Sequence, residues 1–511
     1  MTNQQSNKGI DNRIIALVLF IGVSLLLYFT SDSIGVTWDE PAYIPAAQSY
    51  SSWFKMLFID PGQAYNAGTI DLYWAPNHEH PPVAKAWAGL IWLAARQVFH
   101  ISNDLMAIRL GPVLMVAILV ALLYTLIAKA YGKAAGLFAA LALLCMPRFF
   151  FHAHLASLDV PVSVMWGLAV ATKLNGVFIL IVPLIWILFF RRNWANLLRL
   201  VLMGLAAMLT FFVVWPWLYH QTWTRLLDYV NFHVNHFTIG QWFQGVVYTP
   251  PPWFYVYLIL WAVVPITVMG LFLLGVTRTV KSRDDGDLAW LLIINLLVAI
   301  LPFSFGKTLL YDNDRLFMPV YPFIAALAGI GFGWLIGWIR KYLAGRKHPS
   351  LVVPLSLILG VTLLVPQSLE TVRLYPHLLS YFSEGVGGLR GATRMGLETT
   401  YWCETYAAAI PFINAHANPG DTVWTQAWSF DVLKYYQKIG RLRRDVVVLN
   451  IGMGYFDFKA ADWYILESRQ TQYGEYGADR YLPFQVLSGQ VPVYVLDYQG
   501  VPLMELCGHI Q

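Results

Sequence analysis

Two adjacent carboxylates, Asp39 and Glu40, stand in the stretch Thr37-Trp38-Asp39-Glu40-Pro41-Ala42-Tyr43, just past an apolar run from Ile14 to Phe29. A carboxylate beside an acceptor hydroxyl can take its proton as it attacks, so the pair offers general-base chemistry. Charge beside a bilayer is costly unless it has a task or a partner. The same residues also read as a helix start, with Asp39 as N-cap and Pro41 just inside, and residue types alone leave both readings open.

Other polar groups recur at apolar borders. Asn77-His78-Glu79-His80-Pro81-Pro82 is compact enough to hold a divalent metal through Glu79 and His80. The plainer reading, a stiff polar turn capping the helix that follows, carries more weight. His152, His154 and Asp159 close an apolar run; Asp159 before Val160-Pro161 is equally a helix cap. Lys307 precedes Tyr311-Asp312-Asn313-Asp314-Arg315, whose guanidinium suits a phosphate or anchors a span at the interface. His233 and His236 lie three residues apart, so one helix face could present both, although such a pair is more often structural.

The elements that must position these groups are membrane spans. Hydrophobic residues make up 58% of the 511-residue chain and charged residues 12%, about half the charged share of a soluble globule. Mean hydropathy is +0.54. Apolar runs of bilayer length recur, predicting roughly nine spans, near 14–29, 107–128, 134–151, 160–190, 197–217, 253–275, 287–303, 317–339 and 350–366. The first run lacks a small-residue cleavage site and reads as a retained span. Short basic loops at 128–133, 191–192, 278–283 and 340–347 mark the cytoplasmic side. Parity then puts the N-terminus inside, the acid pair outside, and makes 82–99 a juxtamembrane or re-entrant helix rather than a span. The net charge of +5 is topology signal, which argues against nucleic-acid binding. No phosphate-loop motif indicates ATP. Cys145, Cys403 and Cys507 form no metal or redox motif; Cys403 and Cys507 are the pair available to an extracytoplasmic disulfide.

The tail is polar enough to fold in water. Strands are predicted over 421–427, 445–450, 463–467 and 493–497, with a helix over 430–438. The expected organisation is a transmembrane domain over 1–366 and a small extracytoplasmic α/β domain over 367–511.

Taken together, WDEPAY after the first span, EHPPVAK, RLGPVL, Asp159, ATKLNG and YDNDRLFMPVYPF resemble the bacterial members of glycosyltransferase family 39. That group includes protein O-mannosyltransferases and lipid A aminoarabinose transferases and has the GT-C fold. The resemblance covers about residues 38–406. It implies a multi-pass plasma-membrane enzyme moving a sugar from a polyprenyl-phosphate donor to a protein, lipid or glycan acceptor, with inversion. It places the catalytic carboxylates among Asp39, Glu40 and Asp159, with Asp39 as base. Arg109, Lys307 and Arg315 are candidates for phosphate contact, Arg315 the best placed by motif, with His233 and His236 as further substrate-binding candidates. Glu79 and His80 match the turn where some relatives place a metal, the one cofactor implied. One departure is an apparent missing hairpin near 171–172, where Ala171 runs straight into Thr172-Lys173-Leu174-Asn175-Gly176. That departure keeps a non-catalytic reading open, either a lipid-linked glycan transporter or an impaired relative acting as an assembly partner. Against a transporter, no paired half-repeats are evident and the polar groups gather on one side of the membrane.

Overall fold

The computed structural model describes residues 11–159, 161, 181–190, 192–235, 239–281, 286–305, 310–425, 429–449, 461–472 and 491–508. The chain is a polytopic helical membrane protein with a small C-terminal α/β region. Among the described residues five helices are long and apolar enough to cross a membrane: Asn12–Thr30, Asp104–Tyr131, Trp194–Val213, Arg315–Gly345 and Pro349–Leu374. Shorter apolar helices are Lys133–Leu144, Ile181–Phe190 and Leu288–Ser304. The suspected hairpin deletion, and Lys173 with it, lies outside the described residues.

Two expected spans are broken where proline removes a backbone donor. The 253–275 run forms Tyr255–Val263 and Ile266–Lys281, parted at Pro265. The 134–151 run stops at Leu144, and a new short helix, Pro147–His152, begins at Pro147. The 82–99 stretch is the helix Val83–Gln97. It packs between Glu40–Ile59 and Asp104–Tyr131.

Helix packing runs through small residues, since lipid supplies no hydrophobic drive between helices and close backbone approach must hold them together. A Cβ on Gly331 would lie 2.1 Å from the Leu271 carbonyl oxygen, and one on Gly275 2.0 Å from that of Leu327. A Cβ on Gly89 would lie 2.0 Å from the Ala47 carbonyl oxygen, which seats Val83–Gln97 against the helix that starts at the acid pair. Phe138 stacks on Phe332 at 4.4 Å in the bundle core. The Trp194–Val213 helix buries no residue, as suits a lipid-facing apolar surface.

The sheet order is Val447–Val448, Thr422–Thr425, Trp463–Glu467, Val501–Gly508, Tyr494–Tyr498. The first two pairings are parallel and the last two antiparallel. The four expected strands and the helix Phe430–Lys438 are present. The Val501–Gly508 strand was not expected. Pro502 demotes such a run in sequence, and here it sits beside a register shift. All three cysteines are free, so the Cys403–Cys507 disulfide is not formed. Cys403 lies against Ser429 at 3.1 Å, while Cys507 pairs with Tyr464 in the sheet. Residues 378–402 do not stand apart from the bundle: Leu378, Tyr381 and Trp402 share its core.

Gly331→Val should cost about 2 kcal/mol or more by overpacking and lower the melting temperature in detergent. Gly337→Val, where a Cβ meets nothing within 4 Å, should leave it nearly unchanged. Equal behaviour of the two would contradict the close crossing.

Candidate active site

The adjacent acids point to different tasks. Asp39 occupies the N-cap position of Glu40–Ile59 but makes no side-chain cap hydrogen bond. Its carboxylate instead accepts from Arg315 Nη2. Glu40 is fully buried and forms a two-pronged pair with Arg109, at 2.8 Å from Nε and 2.6 Å from Nη2. Glu40 also accepts from the Thr37 and Ala156 amides, each at 3.1 Å. Arg109 donates to the carbonyls of Ser31, Ile34 and Gly35 at 2.8–2.9 Å. All five guanidinium hydrogens are thereby engaged. Arg109, expected at a phosphate, has no donor left for one in this structure, and Glu40, expected among the catalytic carboxylates, faces Arg109 rather than the open site. The pair closes the 31–35 loop onto the acid-pair helix.

Arg315 is the centre of the site. It binds Asp39, Asp159 Oδ2 at 2.9 Å through Nε, and Asp312 Oδ2 at 3.0 Å through Nη1. Its guanidinium carbon lies 4.2 Å from the centre of the Trp402 ring, a cation–π contact. Asp39 is the open member, with 16% of its side chain exposed against 1% for Asp159 and 0% for Asp312. Asp312 and Asn313 both have left-handed backbones, at φ 57° and 54°, a conformation that Asp and Asn tolerate better than most residues. That turn separates two acids. Asp312 faces Arg315, while Asp314 faces Arg148 Nη1 at 2.5 Å and the Tyr321 hydroxyl.

A second guanidinium comes from the far end of the chain. Arg469, just after the Trp463–Glu467 strand, donates from Nη2 to Asp312 Oδ1 at 2.7 Å and lies 4.3 Å over the Trp38 ring. Asp312 thus bridges Arg315 and Arg469. Nearby, Glu398 accepts from the Thr471 amide at 2.8 Å and from Gln241 at 3.2 Å. Burial raises its carboxyl from the usual 4.5 to about 7, opposed by Arg469 and by the Thr471 bond. Behind Trp402, Glu404 and Glu467 are both fully buried. Burial, and then the neighbouring Glu467, push Glu404 well above the usual carboxylate range.

The His-Glu-His turn is tied down by Lys85, whose ammonium donates to Asn77 O at 2.5 Å, Asn77 Oδ1 at 2.7 Å and His80 O at 2.9 Å. Burial lowers Lys85 to about 7, with Glu79 opposing. Glu79 accepts from Asn77 Nδ2 at 2.7 Å. His80 faces Tyr43 at 5.9 Å and His233 at 6.0 Å between ring centres. Among the described residues no three His, Cys, Asp or Glu side chains converge as a metal set. Glu79 and His80 lie in this turn. His233 lies on the helix Thr222–Val234, with Nδ1 2.9 Å from the Tyr229 carbonyl. His236 and Lys307 lie outside the described residues. The structure thus brings together Asp39, Asp159 and Arg315, and sets Glu40 and Arg109 behind them. Sequence reasoning missed Arg469, Glu398 and Trp402, which nothing in their local spacing marks.

Residues 79–166 match the family model described as dolichyl-phosphate-mannose-protein mannosyltransferase. The resemblance to glycosyltransferase family 39 therefore stands, and a membrane glycosyltransferase is the class to which it points. No curated protein matches the chain. Among solved structures, apo ArnT from Cupriavidus metallidurans aligns over 97% of this chain and 98% of its own, at 17% identity and a TM-score of 0.48.

Glu40→Leu should leave Arg109 buried and uncompensated, costing about 3–5 kcal/mol. The double variant Glu40→Leu/Arg109→Met should recover part of that in thermal unfolding. A single variant as stable as wild type would remove the pair's structural role. A second expectation concerns pH. Glu398 holds its proton more tightly folded than unfolded, so its contribution is full below about 4.5 and is lost as pH rises through about 7. Glu398→Gln should flatten the decline of melting temperature between about pH 5 and 8; parallel curves for the two proteins would refute this.

Proposed function

We propose that the chain transfers a sugar from a polyprenyl-phosphate donor to an acceptor on the extracytoplasmic side of the plasma membrane, with inversion and with Asp39 as base. The observation that carries this reading is the Asp39–Arg315 pair, in which the most open carboxylate of the cluster is held by its central cation. The family match over residues 79–166, with its dolichyl-phosphate-mannose description, supports a lipid-phosphate donor. The positive-inside pattern supports the outward placement of the site and of the tail, which we take to begin near 367 as an extracytoplasmic α/β domain.

The chemistry follows from competition for one cation. A donor phosphate entering the site is a stronger acceptor for the Arg315 fork than a single carboxylate. As Arg315 turns to the phosphate, Asp39 loses the positive charge that suppresses its basicity. Asp39 then takes the proton of the acceptor hydroxyl as that oxygen attacks the anomeric carbon from the face opposite the phosphate. The bond from the anomeric carbon to the phosphate oxygen breaks, and its electron pair leaves with the lipid phosphate, stabilised by Arg315. Asp159 and Asp312 keep Arg315 in place throughout, so they are positioning residues. Base release is thereby tied to donor arrival, which limits idle hydrolysis.

Asp39→Asn, an isosteric change, should lower donor turnover on a polyprenyl-phosphate sugar by about 100-fold or more while leaving the melting temperature close to wild type. Turnover equal to wild type would remove Asp39 from the mechanism.

A further inference from the structure

Arg469 holds more donors than its neighbours use. Its side chain is 4% exposed. Nη2 is bound to Asp312, while Nε and Nη1 are buried with no hydrogen-bond partner among the described residues. Buried donors are nearly always satisfied, and each exception calls for an explanation, a bound ion or a catalytic role among them. The Trp402 indole nitrogen, on the ring that stacks against Arg315, is likewise buried and unmatched. The two cations are tied side by side because each takes one oxygen of the same Asp312 carboxylate. Each is backed by an indole, Trp402 behind Arg315 and Trp38 behind Arg469. The Trp38 amide donates to the Trp402 carbonyl at 3.2 Å, which fixes the two rings relative to one another.

We infer that Arg469 is a second cation for the phosphoryl group of the lipid-linked donor, supplied by the C-terminal α/β region, so that the membrane bundle alone holds an incomplete site. This inference rests on the reading of the site as a polyprenyl-phosphate sugar transferase. The charge balance favours it. Asp39, Asp159 and Asp312 face two guanidiniums, and a phosphate that displaces Asp39 from Arg315 meets unmatched hydrogens on Arg469 rather than another anion. A planar guanidinium offers such an oxyanion several donors in a fixed fan, where an ammonium offers a point charge. The apolar backing keeps those hydrogens out of water and strengthens their attraction to the incoming charge. A purely structural Arg469 would leave the hydrogens of Nε and Nη1 without purpose.

The test compares binding of polyprenyl monophosphate with binding of the phosphate-free polyprenol by full-length protein in detergent micelles. The expected result is at least tenfold weaker polyprenyl monophosphate binding in Arg469→Gln, with polyprenol binding unchanged and partial recovery in Arg469→Lys. The wild-type preference for the phosphate should also fall more steeply with salt than the variant's. A wild type that prefers the phosphate, beside an Arg469→Gln variant that prefers it equally, overturns the inference and leaves the transferase reading intact. Equal loss of both ligands in the Gln and Lys variants shows a structural role and overturns it as well. A wild type with no preference for the phosphate overturns the transferase reading, and the role of Arg469 with it.

Discussion

One guanidinium, Arg315, joins three carboxylates that come from distant parts of the chain. Asp39 follows the Asn12–Thr30 helix, Asp159 follows the short Pro147–His152 helix, and Asp312 precedes the Arg315–Gly345 helix. Removing Asp159 or Asp312 leaves a buried cation less well compensated, and removing the cation strands buried acids. The bundle packing has to hold the three segments within reach, so small-residue contacts such as Gly89 on Ala47 serve the site as much as the fold. The cost of gathering these charges is the physical reason to read them as a site rather than as interfacial ornament.

Sequence neighbours are sent to different places twice. Asp39 faces the open side while Glu40 is sealed against Arg109. Asp312 faces Arg315 and Arg469 while Asp314 faces Arg148. In each case the sealed acid fixes the backbone that aims the other. The first division uses the start of a helix, where successive side chains diverge by about 100°. The second uses two left-handed residues in a row. A reacting carboxylate needs this kind of support, since small errors of position cost large factors in rate.

The C-terminal region does more than cap the bundle. Trp402 lies in the bundle core and backs Arg315, and Arg469 reaches Asp312 from the end of a strand. Close contact continues at Gly35, where a Cβ would lie 2.2 Å from the Glu404 carbonyl oxygen. The buried Glu404 and Glu467 carboxyls anchor the loop that carries Trp402, with Glu467 accepting from the Cys403 amide at 3.1 Å. The region behaves as one wall of the site.

Much of this was legible in one dimension. Apolar run length marked the spans because a bilayer imposes a minimum length, and the parity of the basic loops, with Lys85 and Arg96, set the 82–99 helix apart from them. The short alternating runs of the tail announced four of the five strands among its described residues. The charged clusters stood out because charge is rare in this chain, and motif resemblance picked Asp39, Asp159 and Arg315 from among them. What local pattern could not assign was partnership. Arg109 looked like a phosphate ligand until Glu40 and three carbonyls were found to occupy it. Asp39 looked equally like a helix cap until its carboxylate was found on Arg315. Arg469 carried no signal, because its role depends on a contact spanning 157 residues. Hydropathy and turn chemistry act between near neighbours and are written in the sequence; the pairing of buried charges acts across space, and only the tertiary structure decided it.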